Sequence, residues 1–491
     1  MRSLGDLMEV LQEQGRLTRV EAEVSAEFEV TEIARRLSRE SGGGNAAPAV
    51  LFGSVRGSAV PLAVNLLADE KRIHAAFRVK TLDEVTARLE RLLDPREPEG
   101  WFDRLKPSPH AAAMRNIAPR EVRAGACQQV VRLGSDVDLG ELPVPRHGPD
   151  EPRPVVTAAT LVSVDPTSGE PISLRCPLVV AEADRLGVFW ADDSSMARVW
   201  RIYRQRRESM PLAAVLGGDP LLQLATSMRL PEAIDVVRFV GLMREAPVEV
   251  VGCRSNALKV PAEAEVVVEG RLLPSHDPIE VGPVLGELGL YLPPRWVPSM
   301  HVTAITQRAQ AVYPAIIPGV AEGEETAMRR AMMTILLPVA RSSMPELIDY
   351  ALPSWGAARQ AAVVAIDKSH AGQGRRAMHR AWSLPWLQAA RFLVVTDGDV
   401  DPRDQAAVSW AVVANVDPGQ DVVVHHGPSD PADPAWEIDR LTPRMAIDAT
   451  TKLPGDRSGR AAVTPFRPDA ETVRQVTSRW PELGLGDRED Q

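Results

Sequence analysis

Three aspartates at alternate positions, Asp397, Asp399 and Asp401, have the spacing of a calcium-binding loop. Such a loop needs a glycine at its sixth position, and Pro402 stands there. The simpler expectation is that these acids form the polar exit of a buried strand and cap the helix that follows. His425 and His426 are metal ligands by residue type, but neighbours on a strand point to opposite faces and rarely share an ion. Cys127, Cys176 and Cys253 lie too far apart for a Cys-x-x-Cys site, which argues against a thiolate zinc site and against a disulfide framework. There is no G-x-S-x-G elbow, no G-x-x-x-x-G-K-[ST] phosphate loop and no H-E-x-x-H helix, so three large enzyme classes lose their strongest sequence support.

The elements that must position any site sort into three regions. In the first, Leu4, Leu7, Met8 and Leu11 follow Ser3 at helical spacing and stop at Gly15, and TEIARRLSRE repeats the pattern. AVLFGSVRGSAVPLAVNLL then reads as two short strands around a glycine-containing turn, followed by the amphipathic TLDEVTARLERLL. A Pro- and charge-rich connection covers about 92 to 120. From Val130 to Arg308 short Val-rich runs (VVTAATLVSVD, ISLRCPLVVAE, RLGVFWAD, VEVVGCRSN, AEVVVEGRLL) predict an antiparallel sheet or partly closed barrel with helical insertions such as MARVWRIYRQRRE. Beyond Gly323, QAAVVAID, RFLVVTDGD and QDVVVHH alternate with helical segments, the pattern of βαβ units on a parallel sheet. The tail after Lys452 is Pro- and charge-rich, and no internal repeat is visible.

Composition bounds the partners. The 491 residues are 44% hydrophobic and 25% charged, which is the makeup of a soluble globular chain of two to four domains. A formal net charge of −10, with only six lysines among the 56 basic residues, disfavours nucleic acid or anionic lipid as the main partner. No apolar window is long enough for a membrane span, and MRSLGDLMEVLQEQG has acids inside its apolar stretch, so a cytoplasmic chain is expected.

Seven collinear segments resemble the UbiD-like decarboxylases, which use prenylated FMN. They are SLGDLMEVLQEQGRLTRV with EFEVTEIARR, CQQVVRLGSDVDLGELPVP, EVVGCRSNALKVPAEAEVVVEG, ITQRAQAVYPAIIPG, MPELIDYALP, VTDGDVDPRD and MAIDATTKLPGD. The resemblance implies a mixed α/β chain: an N-terminal α/β unit (1–115), a central split β-barrel that binds flavin (116–322), a C-terminal α/β oligomerisation domain (323–456) and a tail (457–491). It also implies reversible, non-oxidative decarboxylation of an α,β-unsaturated or aromatic carboxylic acid, a flavin prenyltransferase as cofactor supplier, and a homo-oligomer, dimeric or larger.

Residue by residue, Arg175 matches the arginine that orients flavin and carboxylate, with Ser173 and Leu174 touching the flavin through their backbone. Lys452 matches a lysine near the cofactor phosphate. The family's divalent ion, manganese or magnesium, would fall on Glu170, Asp192 and Val236, of which one is apolar and two are altered. The family's two acids are five apart, whereas here Glu280 and Glu287 are seven apart. Glu280 is expected to support Arg175. Glu287 is either the proton donor or, if the longer loop displaces it, a solvated loop residue. These departures keep open a second class, a non-catalytic homologue that binds a ligand or an active partner.

Overall fold

Ser3 opens the first helix, Leu4–Glu13, with a reciprocal cap: its hydroxyl accepts from the Asp6 N–H at 3.1 Å while the Asp6 carboxylate accepts from the Ser3 N–H. Leu4, Leu7, Met8 and Leu11 then fall on the buried face. In the computed structural model, residues 2–40, 47–93, 117–231, 234–275, 277–320, 322–356, 360–427, 441–456 and 468–483 are described. Of the expected connection near 92 to 120, residues 94–116 lie outside them, and the described part of the tail includes a helix, Ala470–Arg479.

The first unit is built on a four-stranded sheet ordered Leu17–Val20, Ala49–Phe52, Leu62–Val64 and Tyr313–Ala315. The fourth strand arrives from far along the chain and pairs parallel with Leu62–Val64. Helices Glu29–Glu40, Glu70–Phe77 and Asp83–Leu93 belong to the same unit.

The central sheet is antiparallel throughout and curls into a half-barrel. Its order is Val155–Val156, Leu178–Glu182, Arg185–Val188, Ser299–Gln307, Val266–Leu272, Met210–Leu216, Thr160–Val164 and Pro171–Arg175, with Val130–Leu133 also pairing with Ser299–Gln307. Alternate apolar residues along the inner strands face a continuous core containing Leu161, Leu178, Leu186, Leu212 and Val268. The segment VEVVGCRSN does not join this sheet. Glu249–Gly252 pairs instead with Lys259–Pro261 and Arg120–Glu121, and Val251 packs in a core that also takes in Val240 and Met243.

A 20-residue helix, Glu324–Ser343, follows the half-barrel and leads into a five-stranded sheet ordered Leu347–Ala351, Ala361–Ile366, Phe392–Asp397, Thr442–Asp448 and Val422–Gly427. Its three central strands are parallel, as expected for βαβ units, and both edge strands are antiparallel. The cap of helix Gln405–Asn415 is Asp404 and not the earlier aspartates. Asp397 instead accepts from the Thr451 N–H at 2.7 Å. His425 and His426 are exposed on the edge strand.

Candidate active site

Among the described residues, strand Pro171–Arg175 lies at the open edge of the half-barrel and pairs only with Thr160–Val164, in a register that sets Arg175 opposite Thr160. Its free side faces a cavity of about 600 Å³, within the size range of small-molecule sites. Ser173, Leu174, Arg175 and Cys176 all line this cavity. Burial pushes the Cys176 thiol up to about 12, so it stays protonated and is no nucleophile.

Arg175 is nearly buried, with 9% of its side chain exposed. Its Nη2 donates to Glu325 Oε1 at 2.5 Å and its Nε to the Thr226 carbonyl at 3.4 Å. Glu325 sits in the first turn of helix Glu324–Ser343, and Arg329 lies one turn on. The Arg329 guanidinium reaches Glu325 Oε1 at 2.5 Å, donates to both oxygens of Glu287 at 2.7 and 2.8 Å, and donates from Nε to the Ser227 carbonyl at 3.0 Å. The result is a continuous chain of alternating charge, Arg175, Glu325, Arg329 and Glu287, along the cavity wall. Such a chain offers fixed cations to an anionic ligand and a carboxyl group to a reacting carbon.

Glu287 therefore lines the cavity, paired to Arg329 and with 29% of its side chain exposed. The longer loop is accommodated by a close backbone approach: Gly289 and Gly319 both have positive φ, and a Cβ on Gly319 would lie 2.7 Å from the Gly289 Cα. Glu280 is not at Arg175. It is exposed on a small hairpin opposite Trp296, and Glu325 occupies the supporting position expected for it. The cause is register: pairing of Ile279–Val281 with Arg295–Val297 buries Val281 and turns Glu280 outward.

Lys452 is absent from the cavity lining. Its Nζ is tied to the Asp448 carbonyl at 2.6 Å and to the Asp448 and Asp421 carboxylates at 3.1 and 3.4 Å. Glu170 is exposed in the turn before Pro171–Arg175, and Asp192 is exposed ahead of helix Ser195–Arg206. Val236, at the third position, presents an apolar side chain to the cavity. Among the described residues no three His, Cys, Asp or Glu side chains come together as a metal site, so these positions do not fit a divalent ion.

A flavin fits better. Ile172, Leu174, Phe189, Ile316 and Ile317 give the cavity apolar walls suited to a flat ring system. Arg198, Arg229, and Ser194 and Ser195 at the start of a 12-residue helix supply cations, hydroxyls and a helix N-terminus suited to a phosphate. Glu325 Oε2 is buried without a hydrogen-bond partner among the described residues, leaving an acceptor for a ligand.

Comparison with known proteins agrees with this geometry. Residues 120–321 match the 3-octaprenyl-4-hydroxybenzoate carboxy-lyase Rift-related domain of UbiD, 326–449 its C-terminal domain and 8–92 its N-terminal domain. The chain belongs to the UbiD family. Among solved structures of UbiD proteins, an evolved dimeric form of the UbiD-class enzyme HmfF from Pelotomaculum thermopropionicum in complex with prFMN is 26% identical, with a TM-score of 0.75 over 97% of this chain and 100% of that one. The closed form of the vanillic acid decarboxylase of Sedimentibacter hydroxybenzoicus shares the fold at 22% identity, with a TM-score of 0.86 over 99% of both chains. The apo 3,4-dihydroxybenzoic acid decarboxylase of Klebsiella pneumoniae also shares it, at 19% identity and a TM-score of 0.72 over 95% and 98%. UbiD membership makes the fold that of FMN- or prenylated-FMN-dependent decarboxylases and implies carboxy-lyase activity. No helix among the described residues is long and apolar enough to cross a membrane.

Proposed function

We propose that this UbiD protein is a carboxy-lyase that removes carbon dioxide, reversibly, from an α,β-unsaturated or aromatic carboxylic acid using prenylated FMN. The observation that carries the reading is the charged chain from Arg175 to Glu287 on the wall of a flavin-sized cavity. Prenylated FMN, when bound, supplies the electron sink for the bond that breaks beside the carboxylate. Arg175 and Arg329 attract and orient the substrate carboxylate, and Glu325, shared between them, fixes both guanidinium planes. The carbon–carbon bond to the carboxylate breaks, carbon dioxide leaves, and a proton takes its place on carbon; Glu287, an anion while paired to Arg329, delivers it after taking it up from solvent, to which 29% of its side chain is exposed. Ser173 and Leu174, on the cavity wall, would border the flavin, and Arg198 with Ser195 would hold its phosphate. The apolar walls exclude water that would compete for the carbanionic carbon.

The cofactor comes from a flavin prenyltransferase, and the chain assembles as a homo-oligomer. The test is co-expression with such a prenyltransferase, followed by absorption spectroscopy and assays of carbon dioxide release and of deuterium exchange at the decarboxylated carbon. Bound flavin with turnover that Glu287→Gln abolishes supports the reading. Failure to retain any flavin overturns it in favour of the non-catalytic homologue. Bound flavin and full activity in Glu287→Gln overturn only the choice of proton donor.

A further inference from the structure

Glu287 is carried by a very short hairpin. Val284–Leu285 pairs with Tyr291–Leu292 over two residues, and the Gly286 N–H closes the turn on the Leu290 carbonyl at 2.9 Å. Two rungs do not hold a hairpin still in water. A hold from outside comes from residues 147 to 151. The side chains of His147 and Glu151 are both fully buried. Glu151 Oε2 accepts from the His147 backbone N–H at 2.8 Å and lies 2.9 Å from His147 Nδ1. Glu151 Oε1 accepts from the Leu285 N–H at 3.0 Å, a bond across 134 residues of sequence that ends two positions before the acid. Alongside, Gly148 lies so close to the Tyr291 hydroxyl that a methyl group there would overlap it.

Only a carboxylate satisfies this arrangement. It accepts at both oxygens, whereas a glutamine has one acceptor oxygen and turns an N–H against either Leu285 or His147. A buried donor left facing another donor is costly, so the hairpin would shift. We propose that Glu151, braced by His147, is the positioning residue that sets where Glu287 stands in the cavity. The proposal deepens the decarboxylase reading and rests on its choice of proton donor. Glu151 does not line the cavity and acts only through the hairpin.

The test compares flavin-loaded wild type, Glu151→Gln, Gly148→Ala and Glu287→Gln by amide hydrogen exchange and by steady-state kinetics. In Glu151→Gln, exchange across 284–290 rises roughly tenfold or more, while helix Glu324–Ser343 is unchanged. Turnover falls roughly 10- to 100-fold with little change in KM. Gly148→Ala, which keeps the carboxylate and pushes on the hairpin's second strand at Tyr291, lowers kcat in the same way, and adding Tyr291→Phe restores it. Unchanged exchange at 284–290 overturns the clamp whatever the activity. Faster exchange with unchanged kcat, while Glu287→Gln is inactive, overturns the catalytic consequence alone. Full activity in Glu287→Gln indicts the proton-donor choice instead, and the exchange data still decide whether Glu151 holds the hairpin.

Discussion

Replacing Glu325 by glutamine tests the whole charged chain with one change. Glu325 Oε1 lies 2.5 Å from a nitrogen of each of two guanidiniums, and the three side chains are 9% (Arg175), 13% (Glu325) and 4% (Arg329) exposed. At an effective dielectric constant of about 20, unit charges about 4 Å apart interact by about 4 kcal/mol. Removing the shared carboxylate deletes two such attractions and leaves two cations facing each other, with Glu287 the nearest carboxylate still paired to Arg329. Desolvation already costs the wild-type network part of that sum, and removal of one partner from a buried pair destabilises by about 3–5 kcal/mol. Because Glu287 still neutralises Arg329, the expected loss is about 3 kcal/mol. In catalysis, Arg175 without its brace no longer presents a fixed fork, and a 100-fold fall in kcat/KM corresponds to about 2.7 kcal/mol of transition-state stabilisation. Urea unfolding of the flavin-loaded protein measures the first quantity, and carbon dioxide release measures the second. A Glu325→Gln protein within about 1 kcal/mol of wild type and with turnover unchanged would refute the assignment of Glu325 as the support of Arg175.

Three further outcomes are expected. Glu280→Gln, at an exposed position on a surface hairpin, leaves stability within about 0.5 kcal/mol and leaves activity unchanged, as unfolding and decarboxylation assays will read directly. Glu324, 4% exposed and accepting from the Leu67 N–H at 2.8 Å, has its carboxyl pushed by burial from 4.5 up to about 7. The native state thus binds more protons than the unfolded chain between these values, so this group's contribution falls as pH rises through that window. Wild type should lose about 2 kcal/mol more than Glu324→Gln between pH 5 and pH 8.5, and parallel stability curves would contradict this. Dialysis against EDTA should leave the flavin absorption of the co-expressed protein in place, since Glu170, Asp192 and Val236 do not form an ion site. Metal analysis beside the spectrum checks this, and release of flavin on loss of a bound ion would count against it.

Much of the architecture was legible because it rests on local pattern. The valine-rich alternation of the half-barrel, the helix behind Ser3 and the βαβ middle of the last sheet all follow from periods of 2 and 3.6 residues. Arg175 was legible through the wording around it. Its partner was not, because Glu325 and Arg329 at i and i+4 in EETAMRR look like an ordinary exposed helix pair. Only the placement of that helix end against strand Pro171–Arg175 puts the pair in the cavity. Counting along the chain favoured Glu280, whereas strand pairing turned it outward. His147 and Glu151 sit in RHGPDE, which reads as a polar turn, and nothing local announces a bond to Leu285.

The strand Tyr313–Ala315 ties the order of synthesis to the order of folding. A ribosome delivers the first unit long before it delivers the strand that finishes that unit's sheet. Until then Leu62, Ala63 and Val64, all 0% exposed in the finished protein, form a bare apolar edge open to pairing with other nascent chains. A fragment ending near residue 115 would keep that edge permanently and aggregate. The N-terminal and central units therefore mature together, and exchanging the first unit between relatives requires the 313–315 segment to travel with it.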